Sequence, residues 1–311
     1  DNYMSIKVGI AQFAPVWLNK KESIDKTIQI IENASTEKVD IVVFGETFLP
    51  GYPFWLSNTK ASEFDSKTQK ELYSHYLKNS ILPDDLIPIQ EKVKELQIAL
   101  YLGYAERASD RGSHSIYCSL AYIDKLGEIK SNHRKLQPTY EERLVWGQGD
   151  GNGLQTHQLN EFTIGALNCW ENWMPLVRSS LYAQGENLHF ASWPGSDGLT
   201  KDITKFIAKE SRSFVVSASS ILRVSDIPVN SPHYDLIINN YDDIISNGGS
   251  CIASPNGNYI IDPVVNKEEL IINELNIDIV FEERQNFDPS GHYSRPDVTK
   301  LVINRERQSI I

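Results

Sequence analysis

Short β-rich runs alternate with helical patterns along the chain, and this alternation constrains the fold more than any other feature. Runs at Ile6–Phe13, Asp40–Phe44, Ala99–Glu106, Ser115–Ile123, Phe162–Asn168, Asn187–Ser192, Phe214–Ser219, Gly249–Ser254 and Leu270–Ile277 are bounded by Gly, Pro, Asn or Asp, as strands are. Between them, Lys21–Ala34 sets Ile24, Ile28 and Ile31 on one face by the 3.6 period. Ser66–Lys78, Leu86–Leu96, Pro175–Gln184 and Thr200–Arg212 also read as helices. Pro175 suits the first turn of its helix, where no backbone donor is missed. Strand–helix alternation of this kind specifies an α/β class. Several strands alternate apolar and polar positions instead of showing the solid apolar run of a doubly covered parallel sheet. In Ser115–Ile123, for example, Ile116, Cys118, Leu120 and Tyr122 share one side. Two sheets packed face to face with helices outside fit such strands, and periodicity alone leaves a (β/α)-barrel open. No short-period repeat is present, which argues against a solenoid.

The 311 residues suffice for a large core in one domain or in two small ones. A net charge of −11 argues against a nucleic-acid partner, because a phosphate-binding face needs an excess of Lys and Arg. No apolar run is long enough to span a bilayer, so no membrane partner is expected. The opening DNYMSIKVGIAQF lacks the basic segment, apolar segment and cleavage site of a signal peptide. Cysteines stand only at positions 118, 169 and 251, which makes neither a disulfide framework nor a zinc pattern. The expected compartment is a reducing cytoplasm, where a cysteine can serve as a reactive thiol.

Three segments carry reactive groups at the ends of expected strands, where α/β folds place their sites. In VDIVVFGETFLPGYPFW (39–55), an apolar strand runs into Glu46. A carboxylate at such a place has its pKa raised by burial, which suits a general base; capping or ion pairing is the plainer role. In HRKLQPTYEERLVWGQGDG (133–151), Lys135 and Glu142 lie in a stretch with few apolar positions, which alone reads as a solvated loop. A lysine there is able to hold charge that develops on a substrate atom. In the third segment, the strand Phe162–Asn168 ends at Cys169, and a helix is expected near Pro175. A thiol at a strand-to-helix turn is exposed at its tip and near a positive helix end, which favours thiolate. Cys118 and Cys251 read instead as small buried hydrophobes.

In this order the three segments resemble the signatures of the nitrilase branch of the carbon–nitrogen hydrolase superfamily. Glu46 in FGETFLPGYP, Lys135 in HRKLQPT and Cys169 in NCWENWMPL match the family's catalytic Glu, Lys and Cys. Glu142, in PTYEER, matches a second glutamate near the nucleophile. The resemblance runs from IKVGIAQFAPV (6–16) to GHYSRPDV (291–298), after which the chain stops sooner than many nitrilases do. It implies one hydrolase domain over 1–311, built as a four-layer α-β-β-α sandwich. It also implies a small nitrile as substrate, no metal or organic cofactor, and a homodimer or larger homo-oligomer. An amidase of the same superfamily would use the same Glu, Lys and Cys, and a scaffold that keeps the fold is the non-catalytic alternative. Tyr52, Trp170, Glu171 and Trp193 lie near the motifs and are the candidate substrate-binding residues, with core packing or turn capping as the plainer role for each.

Overall fold

The computed structural model describes residues 4–311. Its strands are β1 (Ser5–Gln12), β2 (Ile41–Phe44), β3 (Ala99–Arg107), β4 (Ile116–Ile123), β5 (Ile129–Arg134), β6 (His157–Leu159), β7 (Phe162–Asn168), β8 (Leu188–Trp193), β9 (Phe214–Ser219), β10 (Ile221–Arg223), β11 (Ile244–Ala253), β12 (Tyr259–Val265) and β13 (Glu269–Asn276). Its helices are α1 (Lys20–Thr36), α2 (Lys67–Asn79), α3 (Ile87–Leu96), α4 (Pro175–Tyr182), α5 (Asp197–Ser211), α6 (Tyr234–Ile238) and α7 (Asp278–Arg284).

The strands form two sheets. One runs β13-β1-β2-β3-β4-β5, and the other runs β10-β11-β9-β8-β7-β6, with β12 beside β11. In each sheet the central triplet is parallel, β1-β2-β3 in one and β9-β8-β7 in the other, and antiparallel strands flank it. The period of two sorts their side chains. Ile6, Val8 and Ile10 of β1, Ile41 and Val43 of β2, and Phe214 and Val216 of β9 meet in one core between the sheets. Val42 and Phe44 of β2 face the opposite way and pack with Ile30, Ile31 and Val93 of α1 and α3. On the far sheet, Ala191 and Val215 pack with Ile203 and Ile207 of α5. The order of layers is therefore α-β-β-α, the sandwich that the strand alternation allowed, and the barrel is excluded.

Helix boundaries agree with the periodic pattern to within a few residues. In α1 the buried stripe is Ile24, Thr27, Ile30 and Ile31, and Asn19 caps it by accepting from the Glu22 N–H at 3.1 Å. Strand β5 departs from the expectation. Its sequence, IKSNHR, is mostly polar and its first residues are exposed, so it shows no apolar run. As an edge strand it is held by its ladder to β4, and it delivers Lys135 from ordered structure where a loop was expected.

Candidate active site

Four of the sequence-derived residues sit at the carboxyl ends of strands or in the turns that follow. Glu46 comes two residues after β2, Lys135 directly after β5, Cys169 directly after β7, and Glu142 in the short 3₁₀ turn Tyr140–Leu144. The two sheets are joined at this end. The Glu46 N–H donates to the Trp193 carbonyl at 3.0 Å, and the Ser192 hydroxyl donates to the Phe44 carbonyl at 2.9 Å. Residue 45 must be glycine for this approach, because a Cβ would collide with the Ser220 hydroxyl and backbone. Thr47, Tyr140 and Cys169 all take positive φ (47°, 44° and 47°), a conformation that side chains with a Cβ rarely adopt. Such backbone clusters at functional sites.

Lys135 is the hub. It is buried, with 1% of its surface exposed, yet its Nζ lies between two carboxylates. Its Nζ donates to Glu46 Oε1 at 2.7 Å and to Glu142 Oε1 at 2.8 Å, and it lies 5.4 Å from the centre of the Trp146 ring. Burial opposes the charge, but Glu46, Cys169 and Glu142 together raise its pKa well above the ordinary lysine value. Glu46 is also fully enclosed. Burial raises its carboxyl, Lys135 opposes, Glu142 adds to the rise, and the result is a pKa of about 7. Only Oε1 of Glu46 is engaged. Its Oε2 is buried and has no hydrogen-bond partner among the described residues.

Glu142 is held from both sides. Oε1 accepts from Lys135 and from the Thr139 N–H at 2.8 Å, and Oε2 accepts from the Tyr52 hydroxyl at 2.7 Å. The residue thus ion-pairs with Lys135 and places a second carboxylate on the same ammonium.

Cys169 opens a 3₁₀ turn, Cys169–Trp173, and α4 begins only at Pro175. The thiol is not exposed at a tip; just 4% of the residue is accessible. Burial pushes the thiol well up, and the Lys135 ammonium pulls against that without reversing it. Burial thus works against the thiolate that an exposed tip would favour, and the Lys135 ammonium works for it. Its backbone is fixed by Asn172, whose Nδ2 donates to the Cys169 carbonyl at 2.8 Å. Asn172 is in turn held by His189 at 2.7 Å, and Glu186 lies on the other ring nitrogen of His189 at 3.0 Å.

The four expected substrate contacts divide. Tyr52 reaches the site, but its hydroxyl is committed to Glu142. With Glu46, Phe54, Pro15, Pro194 and Ser220 it lines a small cleft. Trp170 follows Cys169 and is half-exposed. Glu171 has both oxygens occupied, by His133 at 2.9 Å, by the Leu136 N–H at 2.6 Å and by the Asn168 N–H at 3.1 Å. It caps the turn and ties the Lys135 segment to the Cys169 segment. Trp193 shares a buried cluster with Cys169. Strand alternation turns its side chain, like that of Ala191, outward into the layer under α5, where it is fully buried and its Nε1 donates to Ser217 at 3.1 Å. Its backbone carbonyl is the acceptor for the Glu46 N–H.

Sequence reading missed one neighbour of the cluster. Cys118 is buried as expected, but its thiol donates to Glu46 Oε1 at 3.4 Å. The available signal was its place on the same strand side as Leu120 and Tyr122. No group of His, Cys, Asp and Glu among the described residues has the arrangement of a metal site.

Comparison with known proteins agrees with this geometry. The carbon–nitrogen hydrolase family model matches residues 7–282. A nitrilase of Talaromyces marneffei is 33% identical over 96% of this chain and 95% of its own length. An aliphatic nitrilase of Rhodococcus rhodochrous is 32% identical over 96% of this chain and 79% of its own length. The crystal structure of a carbon–nitrogen hydrolase from Helicobacter pylori G27 superposes with a TM-score of 0.71 at 18% identity, covering 96% of this chain and 97% of the other. That likeness concerns the fold alone. By its family match and its relatives over nearly the full chain, this protein belongs to the carbon–nitrogen hydrolases and is an enzyme of their nitrilase branch.

Proposed function

We propose that the chain hydrolyses a small nitrile to its carboxylic acid and ammonia through covalent intermediates on Cys169. The observation that carries this reading is the buried Lys135 ammonium bridging Glu46 and Glu142 at 2.7 and 2.8 Å beside the Cys169 turn. Glu46 takes the thiol proton of Cys169, and the electron pair left on sulfur adds to the nitrile carbon. The proton held by Glu46 passes to the nitrogen as the thioimidate forms, which leaves Glu46 ionised, and Lys135 holds the charge that builds on nitrogen. A water adds next, with Glu46 again accepting a proton. The resulting carbon carries sulfur, nitrogen and oxygen; nitrogen leaves as ammonia and a thioester remains. A second water releases the acid and restores the thiol. No cofactor is required by these steps.

The nitrile and aliphatic nitrile activities named for the relatives support nitrile over amide as substrate. The family resemblance supports one hydrolase domain per chain and a homodimer or larger assembly; a solution mass near 35.3 kDa at micromolar concentration would contradict the assembly. The three free thiols support a reducing, cytoplasmic setting. The test of function is ammonia release from valeronitrile, phenylacetonitrile and benzonitrile beside their matching amides. Faster release from at least one nitrile than from its amide is expected. Release from the amides alone would make the enzyme an amidase, and release from neither would favour the scaffold.

A further inference from the structure

Glu46 presents two unequal oxygens. Both donors that reach it, Lys135 Nζ at 2.7 Å and Cys118 Sγ at 3.4 Å, fall on Oε1, and Oε2 is buried with no partner among the described residues. Their convergence has a local cause. In the β4–β5 ladder Ser119 pairs with Arg134, and the Lys135 N–H donates to the Cys118 carbonyl at 2.7 Å, so the two residues sit side by side. By strand alternation Cys118 shares a side with Leu120 and Tyr122, but it packs beyond them with Ile116 and Trp146, where its thiol reaches Glu46. A carboxylate with one oxygen pinned by two donors cannot turn freely, and its second oxygen is the one left to accept a proton.

We propose that Cys118 is a positioning residue: its thiol, together with Lys135, fixes Glu46 Oε1 so that Oε2 is the oxygen that takes the proton from Cys169. The proposal rests on the reading of Glu46 as the base. In the step concerned, the Cys169 S–H bond breaks, the proton goes to Oε2, and the electron pair stays on sulfur. Cys118 itself transfers nothing. Burial, then Glu46, push its thiol well up, which keeps it a donor.

The charged and titratable groups that face Glu46 are Lys135, Glu142, Cys118, Cys169, Tyr52 and Tyr76. Among them Lys135 and Cys118 favour its ionised form, and burial and Glu142 oppose it. A base must be ionised to accept a proton, so kcat/KM should rise with pH through the pKa of Glu46. Removing a donor to the carboxylate disfavours its charge and moves that acid limb to higher pH.

The test is the pH profile of kcat/KM for the best nitrile of the panel, measured on the wild type, Cys118→Ala and Cys118→Ser, with Glu46→Gln as reference and a thermal melt for each. Cys118→Ala should move the acid limb up by about half a unit and lower kcat about three- to tenfold, with KM little changed, the scale of one lost buried hydrogen bond. Cys118→Ser keeps a donor and should return the limb to the wild-type position or below it. An unmoved limb in Cys118→Ala overturns the proposal, as does a serine variant whose limb matches that of alanine. If the alanine variant melts below the assay temperature, the serine variant decides alone: a limb above wild type contradicts the proposal. An active Glu46→Gln would instead remove Glu46 as the base. An inactive Glu46→Gln with an unmoved limb in Cys118→Ala removes only the role of Cys118.

Discussion

Two carboxylates share one buried ammonium, and their environments drive them apart in role. Glu46 keeps an unpartnered oxygen and a pKa of about 7, which suits proton transfer near neutral pH. Glu142 has every oxygen engaged, by Lys135, Thr139 and Tyr52. In the mechanism proposed above it would act through its charge: collapse of the tetrahedral intermediate with loss of nitrogen gives acid, and with loss of sulfur gives amide. A negative charge near the nitrogen stabilises its ammonium form and favours ammonia loss. Glu142→Gln should slow turnover and raise the amide fraction from a nitrile substrate. Chromatography of acid and amide from matched reactions checks this. An unchanged ratio, with the rate loss explained by a lower melting temperature, would reduce Glu142 to holding its loop.

The elements bring the site together through the turns that follow them, and Glu171 is the strongest tie between two of those turns. Its buried carboxylate joins the Cys169 turn to His133 and Leu136 on either side of Lys135. Burial alone would raise its pKa, but His133 and the two backbone N–H groups win and lower it. A carboxylate whose pKa falls on folding stabilises the fold above its ordinary value, 4.5, and loses that contribution as pH drops through the lower folded value. Glu171→Gln should cost about 3 kcal/mol at neutral pH, the low end for a broken buried pair. The gap between its melt and that of the wild type should narrow in acid. Calorimetry across pH would show this, and a gap that widens in acid would contradict it. The elements themselves were largely legible in the sequence, because an apolar strand and an amphipathic helix each carry their own period. Strand β5 was not legible, since a polar edge strand is specified by its neighbour β4. The Glu171 tie was hidden for the same kind of reason, as its partners lie 35 and 38 residues away. The motifs pointed to Glu46, Lys135 and Cys169 as one group, but the company of Glu46 was hidden: Cys118 looked like any small buried side chain until the fold set its thiol on Glu46.

At the scale of the whole molecule, two sheets with matching parallel centres pack face to face, and their strand ends meet at one end of the shared core. Bonds from Glu46 to Trp193 and from Ser192 to Phe44 lock the sheets together where Glu46, Lys135 and Cys169 converge. The sandwich is in this sense the frame that brings two carboxylates onto one buried ammonium, with Cys169 near enough to feel their charge. The central claim is that a nitrile becomes covalently attached to Cys169. Intact-protein and peptide mass spectrometry of an acid-quenched reaction with the preferred nitrile tests it most directly. The account predicts a mass increment equal to the nitrile or its acyl group on the peptide that contains Cys169. It further predicts that Cys169→Ala, folded by its melt, shows neither adduct nor turnover. Turnover retained by Cys169→Ala, or an adduct on another residue with the Cys169 peptide unmodified, would contradict it.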